Sequence, residues 1–176
     1  MNNTYAIIIN RKITKGVVAF IAITIAAVAV LNIYGEMDPA VNVKETRIEI
    51  KALYGANVDF EEIAGICLLE ESMKDIGVGI RTNGFSGFGG ALKGNFRAGD
   101  FGETLLFVYA DSSPTIHIQR ESGKDIFISF RDSARTVKLY DEIESAFING
   151  DGIEAEVGSS KCRSRCVIRY DYLRGD

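Results

Sequence analysis

The chain has one histidine, three cysteines, two prolines and no tryptophan among its 176 residues. One histidine, His117, excludes a histidine-rich metal centre and leaves any nucleophile–base pair a single candidate base. It alternates with Ile116 and Ile118 in TIHIQRE (115–121). On a strand that places it on the opposite side from them, facing solvent. Cys67 sits in the apolar run IAGICLL and reads as a buried core thiol. Cys162 and Cys166 are four positions apart in a short basic tail, too few ligands for zinc. In an oxidising compartment those two form a disulfide, and in a reducing one they stay as thiols.

Motifs for common catalytic chemistry are also missing. Residues 77–102 hold nine glycines, yet G-K-[ST] is absent and the loop leads into strands rather than a helix. Gly84, Gly87, Gly89 and Gly90 do not fall in the order of a dinucleotide fingerprint. Ser86, in Gly84-Phe85-Ser86-Gly87-Phe88, lacks the second glycine of a nucleophile elbow. The carboxylate pairs Glu61-Glu62 and Glu70-Glu71 are adjacent, so on a strand each pair would point to opposite faces. The sequence therefore reads as non-enzymatic, with no cofactor and no metal.

Charge is unevenly spread. Residues 1–35 carry Arg11, Lys12 and Lys15 and no acid, whereas residues 36–150 hold 12 basic and 19 acidic side chains, a net of −7. An acidic body repels nucleic acid and anionic lipid, which excludes nucleic acid as a partner. Between these regions, residues 16–34 (GVVAFIAITIAAVAVLNIY) are uncharged. As a helix they span about 28 Å, close to the hydrocarbon thickness of a bilayer. Two readings remain open: a single-pass anchor, or a signal peptide cleaved at Ala27-Val28-Ala29. The apolar run continues past that site through Val30, Leu31 and Ile33, which favours the anchor. The preceding Arg and Lys residues, with Glu36 and Asp38 following, favour a cell-membrane protein whose soluble part is extracytoplasmic.

The rest divides by pattern. Residues 1–15 form a basic segment, 16–34 the transmembrane helix and 35–45 a linker with a proline turn. Within 46–148, alternation gives seven strands: TRIEIKAL, NVDF, IAGICLLE, GALKGNF, ETLLFVY, TIHIQRE and DIFISF. Residues 71–88 read as a long loop. From Asp132 the period changes: Val137, Tyr140, Ile143 and Phe147 recur at helical steps, and Asn149-Gly150 ends the helix. Residues 149–176 form a tail. It is either a solvated extension, with Arg163, Arg165 and Arg169 able to touch lipid phosphate, or one further strand through CVIRYDYL.

Four segments carry a family resemblance: Arg81-Thr82-Asn83-Gly84-Phe85, Leu92-Lys93-Gly94-Asn95-Phe96, Ser113-Pro114 before an alternating strand, and Asp132 to Tyr140 with Thr136 and Leu139. Residues 46–147 together resemble the bacterial pleckstrin-homology-like domain of small membrane-anchored proteins. The resemblance implies an α+β, mainly β fold: a seven-stranded antiparallel barrel or sandwich capped by a C-terminal helix and preceded by one transmembrane helix. It implies a protein-interaction or scaffolding module with an unknown protein partner and the membrane as its second contact. The alternative is a small-ligand or lipid-binding protein that uses the Gly/Phe-rich loop 80–90. On either reading the binding candidates are Arg81, Asn83, Gly84, Phe85 and Phe88. Phosphoinositide-binding relatives place several Lys and Arg residues around the first strand-to-strand loop. Here that loop is Tyr54-Gly55-Ala56-Asn57 with only Lys51 near, so such binding is not expected.

Overall fold

The computed structural model describes residues 2–98, 101–151 and 164–168. The chain divides into two compact units, Met1–Tyr34 and Gly35–Asp176. The basic segment and the apolar run form one continuous helix, α1 (Asn2–Glu36). Among the described residues it is the one helix long and apolar enough to cross a membrane, over Thr14–Glu36. Two polar side chains of the apolar stretch turn their donors back onto the helix. Thr24 Oγ1 donates to the Phe20 carbonyl and Asn32 Nδ2 to the Val28 carbonyl, both at 2.9 Å. That satisfies groups that hydrocarbon could not.

In the second unit the expected linker contributes a strand. β1 (Ala40–Val43), β2 (Arg47–Lys51) and β3 (Ala56–Asp59) form a three-stranded antiparallel sheet. β2 alternates as the sequence suggests, with Ile48 and Ile50 buried and Arg47 and Lys51 exposed. β1 adds Val41 and Val43 beside Ile50 and Ile48, which is why it docks rather than staying loose. A short 3-10 turn (Phe60–Glu62) leads into β4 (Ile63–Leu69).

The larger sheet has seven strands. They are β4, β5 (Ile80–Ser86), β6 (Ala91–Ala98), β7 (Gly102–Tyr109), β8 (Thr115–Arg120), β9 (Asp125–Ile128) and β10 (Ser164–Ile168). Their order is β10-β4-β8-β9-β7-β6-β5. All pairs are antiparallel except β7 with β9, because β8 leaves a gap beside β7 that β9 fills on its return. Both sheets are open, so the barrel closure that the resemblance implied is not present among the described residues. Three strands, β1, β5 and β10, go beyond the seven expected. The supposed loop 71–88 holds β5 and a one-turn helix, α2 (Met73–Ile76).

One face of the large sheet carries Ile66, Phe107, Ile116, Ile118, Ile126 and Ile128. It buries them with Ile48, Ile50 and Val58 of the small sheet and with α3 (Ser133–Asp151). Leu139, Tyr140, Ile143 and Phe147 form the buried stripe of α3, which continues through Asn149-Gly150 to Asp151. The other face carries Leu69, Leu92, Phe96, Leu106, Val108 and Phe127, covered by Met73, Ile76 and Val78. The sheet is therefore buried on both faces, and this corrects the reading of His117. It does point away from Ile116 and Ile118, but its ring is buried. It stacks on Phe127 at 4.4 Å and meets the edge of Phe101 at 5.1 Å.

The disulfide expectation is also corrected. Cys166 bonds Cys67, its direct partner across β4 and β10, with Cα atoms 4.1 Å apart. Cys162, Arg163 and Arg169 lie outside the described residues. The pairing of β10 with β4 spans 99 positions, a long-range register that no local spacing reveals.

Candidate functional site

β5 is the last strand of the large sheet. It pairs with β6 on one side, and among the described residues no strand pairs with its other side. A register shift between Arg81 and Asn83 gives it a bulge. The five candidate residues lie along this strand and the turn after it. Arg81 is exposed, as are Ile80 and Thr82. Asn83 Oδ1 accepts from the Tyr54 hydroxyl at 3.4 Å, and the Asn83 carbonyl accepts from Asn95 Nδ2 at 3.4 Å. Gly84 faces Gly94 across the pair, where a Cβ would stand 2.6 Å from the Lys93 carbonyl oxygen and 3.1 Å from the Phe96 ring. Glycine at 84 is thus required by close backbone approach rather than by a ligand.

The two phenylalanines part company. Phe85 is half-buried, its ring lying against Gly35, whereas Phe88 is 100% exposed at the tip of the β5–β6 hairpin. Gly90 has φ +85, a left-handed conformation that closes the turn. Of the candidates, Arg81, Asn83 and Phe88 are exposed, and Asn83 is engaged by Tyr54. The interior beneath is occupied by Leu92 and Phe96, both buried.

The hairpin tip is held by residues that the sequence reading did not single out. Glu36 Oε1 accepts the Gly89 N–H at 2.7 Å, and Glu36 Oε2 accepts Arg131 Nη2 at 3.0 Å. Arg131 also donates to the Gly89 carbonyl at 3.4 Å and lies 4.5 Å over the Tyr109 ring. Carbonyls at a helix C-terminus have no partner within the helix. Here the Glu36 carbonyl accepts from the Tyr109 hydroxyl and the Met37 carbonyl from Lys93 Nζ. Asp38 pairs with Arg135. Lys93 is 2% exposed, and burial pushes its ammonium below the usual lysine range, with the charges of Asp38 and Glu36 opposing. Burial, followed by the nearby Asp38 carboxylate, pushes the Tyr109 phenol up to about 12. One signal for this cluster lay in the sequence: Glu36 is the first acid after the apolar run. Nothing local marks Lys93 or Tyr109 as its partners.

His117 forms a second polar cluster. Its Nε2 lies 2.9 Å from Asp125 Oδ2, and Asp125 Oδ1 accepts the Arg120 N–H at 3.2 Å. Cys67 is its cross-strand neighbour, but that sulfur is tied to Cys166. Ser86 lies on β5, separated from β8 by β9, β7 and β6. The arrangement anchors a ring stack, and the sulfur of the neighbouring Cys67 is not a free thiol. Among the described residues no group of His, Cys, Asp and Glu is placed to hold a metal ion.

Comparison of the chain with protein families, with curated proteins and with solved structures found no match.

Proposed function

We propose that the chain is a single-pass membrane protein whose domain from Gly35 onward is pleckstrin-homology-like and non-enzymatic. It lies outside the cytoplasm and binds a partner protein by taking up an extended segment along β5. The open edge of β5 carries this reading. An unpaired edge offers a row of N–H and C=O groups to a further strand, and natural sheets usually guard such edges with charges, proline or a cover. β5 has only Arg81 and a bulge.

Other observations support the rest. Helix α3 lies across one face of the large sheet with Tyr140 and Phe147 buried, as expected of this fold class. The Cys67–Cys166 bond supports an oxidising compartment, the same side that Arg11, Lys12 and Lys15 ahead of the span suggest. Engagement of His117 by Asp125 and the Phe127 ring supports a structural role for that residue. The filled interior under Gly84 supports recognition at an edge over uptake of a small ligand.

The test uses full-length protein in detergent micelles and a displayed library of unstructured peptides. Selected peptides should crosslink to a photoreactive residue placed at Arg81. Methylating their backbone nitrogens along one edge should abolish binding, and methylation along the other edge should be tolerated. Binding that ignores backbone methylation, or that maps away from β5, would sink the proposal.

A further inference from the structure

The hairpin that follows β5 ends in a fully exposed aromatic ring, Phe88, tied to the residues immediately after the apolar run. Glu36 is the second residue past Tyr34, the last of the uncharged stretch. At helical rise its Cα lies about 3 Å further on, inside the headgroup layer of a bilayer spanned by that stretch. The backbone of Gly89 is bonded to the Glu36 carboxylate at 2.7 Å, so the neighbouring Phe88 is confined to the same layer.

We infer that Phe88 is a second membrane contact, seating the β5–β6 hairpin in the bilayer interface beside the end of α1. Three observations fit a lipid surface. Met37, next to Glu36 in sequence, is another exposed apolar side chain. The acids there are already matched, Glu36 by Arg131 and Asp38 by Arg135, so they do not repel lipid phosphates. The Arg131 side chain remains 58% exposed, leaving donors for a phosphate oxygen. Interfacial aromatic rings occupy this layer in membrane proteins generally. Glycines at 87, 89 and 90 keep the tip slender enough for the ring to project.

This inference rests on α1 being a retained anchor, and the experiment separates the two. The chain has no tryptophan, so Phe88→Trp introduces a single tryptophan, excited selectively beyond the tyrosine absorption band, at a fully exposed position. The full-length variant is reconstituted into phosphatidylcholine vesicles with and without lipid brominated near the top of the acyl chain. The expected result is blue-shifted emission and its loss on bromination. Ser122→Trp, exposed in the turn between β8 and β9 at the opposite end of those strands from Arg131, should keep water-like emission. Vesicle retention at alkaline pH reports on α1 independently. Retained protein with unquenched, water-like emission from Phe88→Trp overturns the seating of Phe88 alone. Protein released from the vesicles at alkaline pH overturns the anchor and the inference together.

Discussion

Cys67 on β4 and Cys166 on β10 stand directly opposite each other and are joined through their sulfurs across 99 positions of chain. Closing so long a loop removes much of the freedom of the unfolded chain. Losing such a bond typically costs about 2–5 kcal/mol. The double variant Cys67→Ala with Cys166→Ala should show that loss in denaturant unfolding of the full-length protein in micelles. Unreduced, denatured wild type should titrate a single free thiol, Cys162. A peptide map that links Cys162 to Cys166 would leave Cys67 free and refute the pairing.

The same bond reports the side of the membrane. If the domain is extracytoplasmic, cells quenched in acid and alkylated under denaturing conditions should yield Cys67 and Cys166 protected and Cys162 labelled. Recovery of all three cysteines alkylated would place the domain in a reducing compartment.

Helix α3 is held by aromatic burial. Tyr140 and Phe147 are both 0% exposed, and the Phe147 ring meets Phe60 edge-on at 6.0 Å. Truncating a buried aromatic typically costs about 3–5 kcal/mol. Phe147→Ala should fall in that range. Tyr140→Ala should cost a similar amount, because it also removes the hydroxyl that Glu144 accepts at 3.0 Å. An unchanged unfolding midpoint for both variants would mean that the stripe is not packed as described.

What could be read ahead of the structure was whatever repeats locally. β2 alternates Ile48 and Ile50 with charged neighbours, and α3 repeats Tyr140, Ile143 and Phe147 at helical steps, so both were legible. β5 was not, because an edge strand of Arg, Thr, Asn and Gly has no buried face to impose alternation. β1 was hidden by its four-residue length, whereas β10 overlaps the further strand that the sequence offered through CVIRYDYL as one of two alternatives, and only its partner β4, far away in sequence, was hidden. His117 was placed on the correct side of its strand and given the wrong surroundings. Its ring is met by Phe101 and Phe127, and the rest of that face is covered by Met73, Ile76 and Val78, in a stretch that read as loop. The same limit applied at the candidate site. Whether Phe85 or Phe88 packs depends on Gly35, some fifty positions away.

Phosphoinositide headgroups should not bind selectively. Capture of several phosphates needs converging free cations, and around β1 and β2 Lys44 and Arg47 are paired with acids, which leaves Lys51 without a second cation to converge with. Lys44 pairs with Glu49 at 2.7 Å, and Arg47 lies 3.8 Å from Asp59. Lys93 is buried against the Met37 carbonyl. Titration of full-length protein in neutral micelles with soluble inositol phosphates should show no saturable binding at physiological salt. Saturable, headgroup-selective binding would restore the ligand-binding alternative.

Tyr109 gives the cluster at Glu36 a pH signature. Its phenol is held neutral in the folded protein, with its pKa pushed up to about 12, mainly by burial. In the unfolded chain a tyrosine ionises near pH 10. The folded state therefore keeps its proton where the unfolded state loses it. The stability this contributes is fully present below about pH 10 and is lost as pH rises towards 12. Lys93, whose pKa is depressed, acts with the opposite sign in the alkaline range: its neutral form suits the site, so its cost eases as pH rises. The wild-type profile mixes the two, and Tyr109→Phe separates them. At neutral pH this variant should lose roughly 0.5–1.5 kcal/mol, because the Glu36 carbonyl loses its donor. Between about pH 10 and 12 the deficit should shrink, since only the wild type then pays to keep a phenol protonated. The check is denaturant unfolding of both full-length proteins in micelles across that range. A deficit that stays constant, or grows with pH, would mean that the Tyr109 hydroxyl is not buried against Glu36.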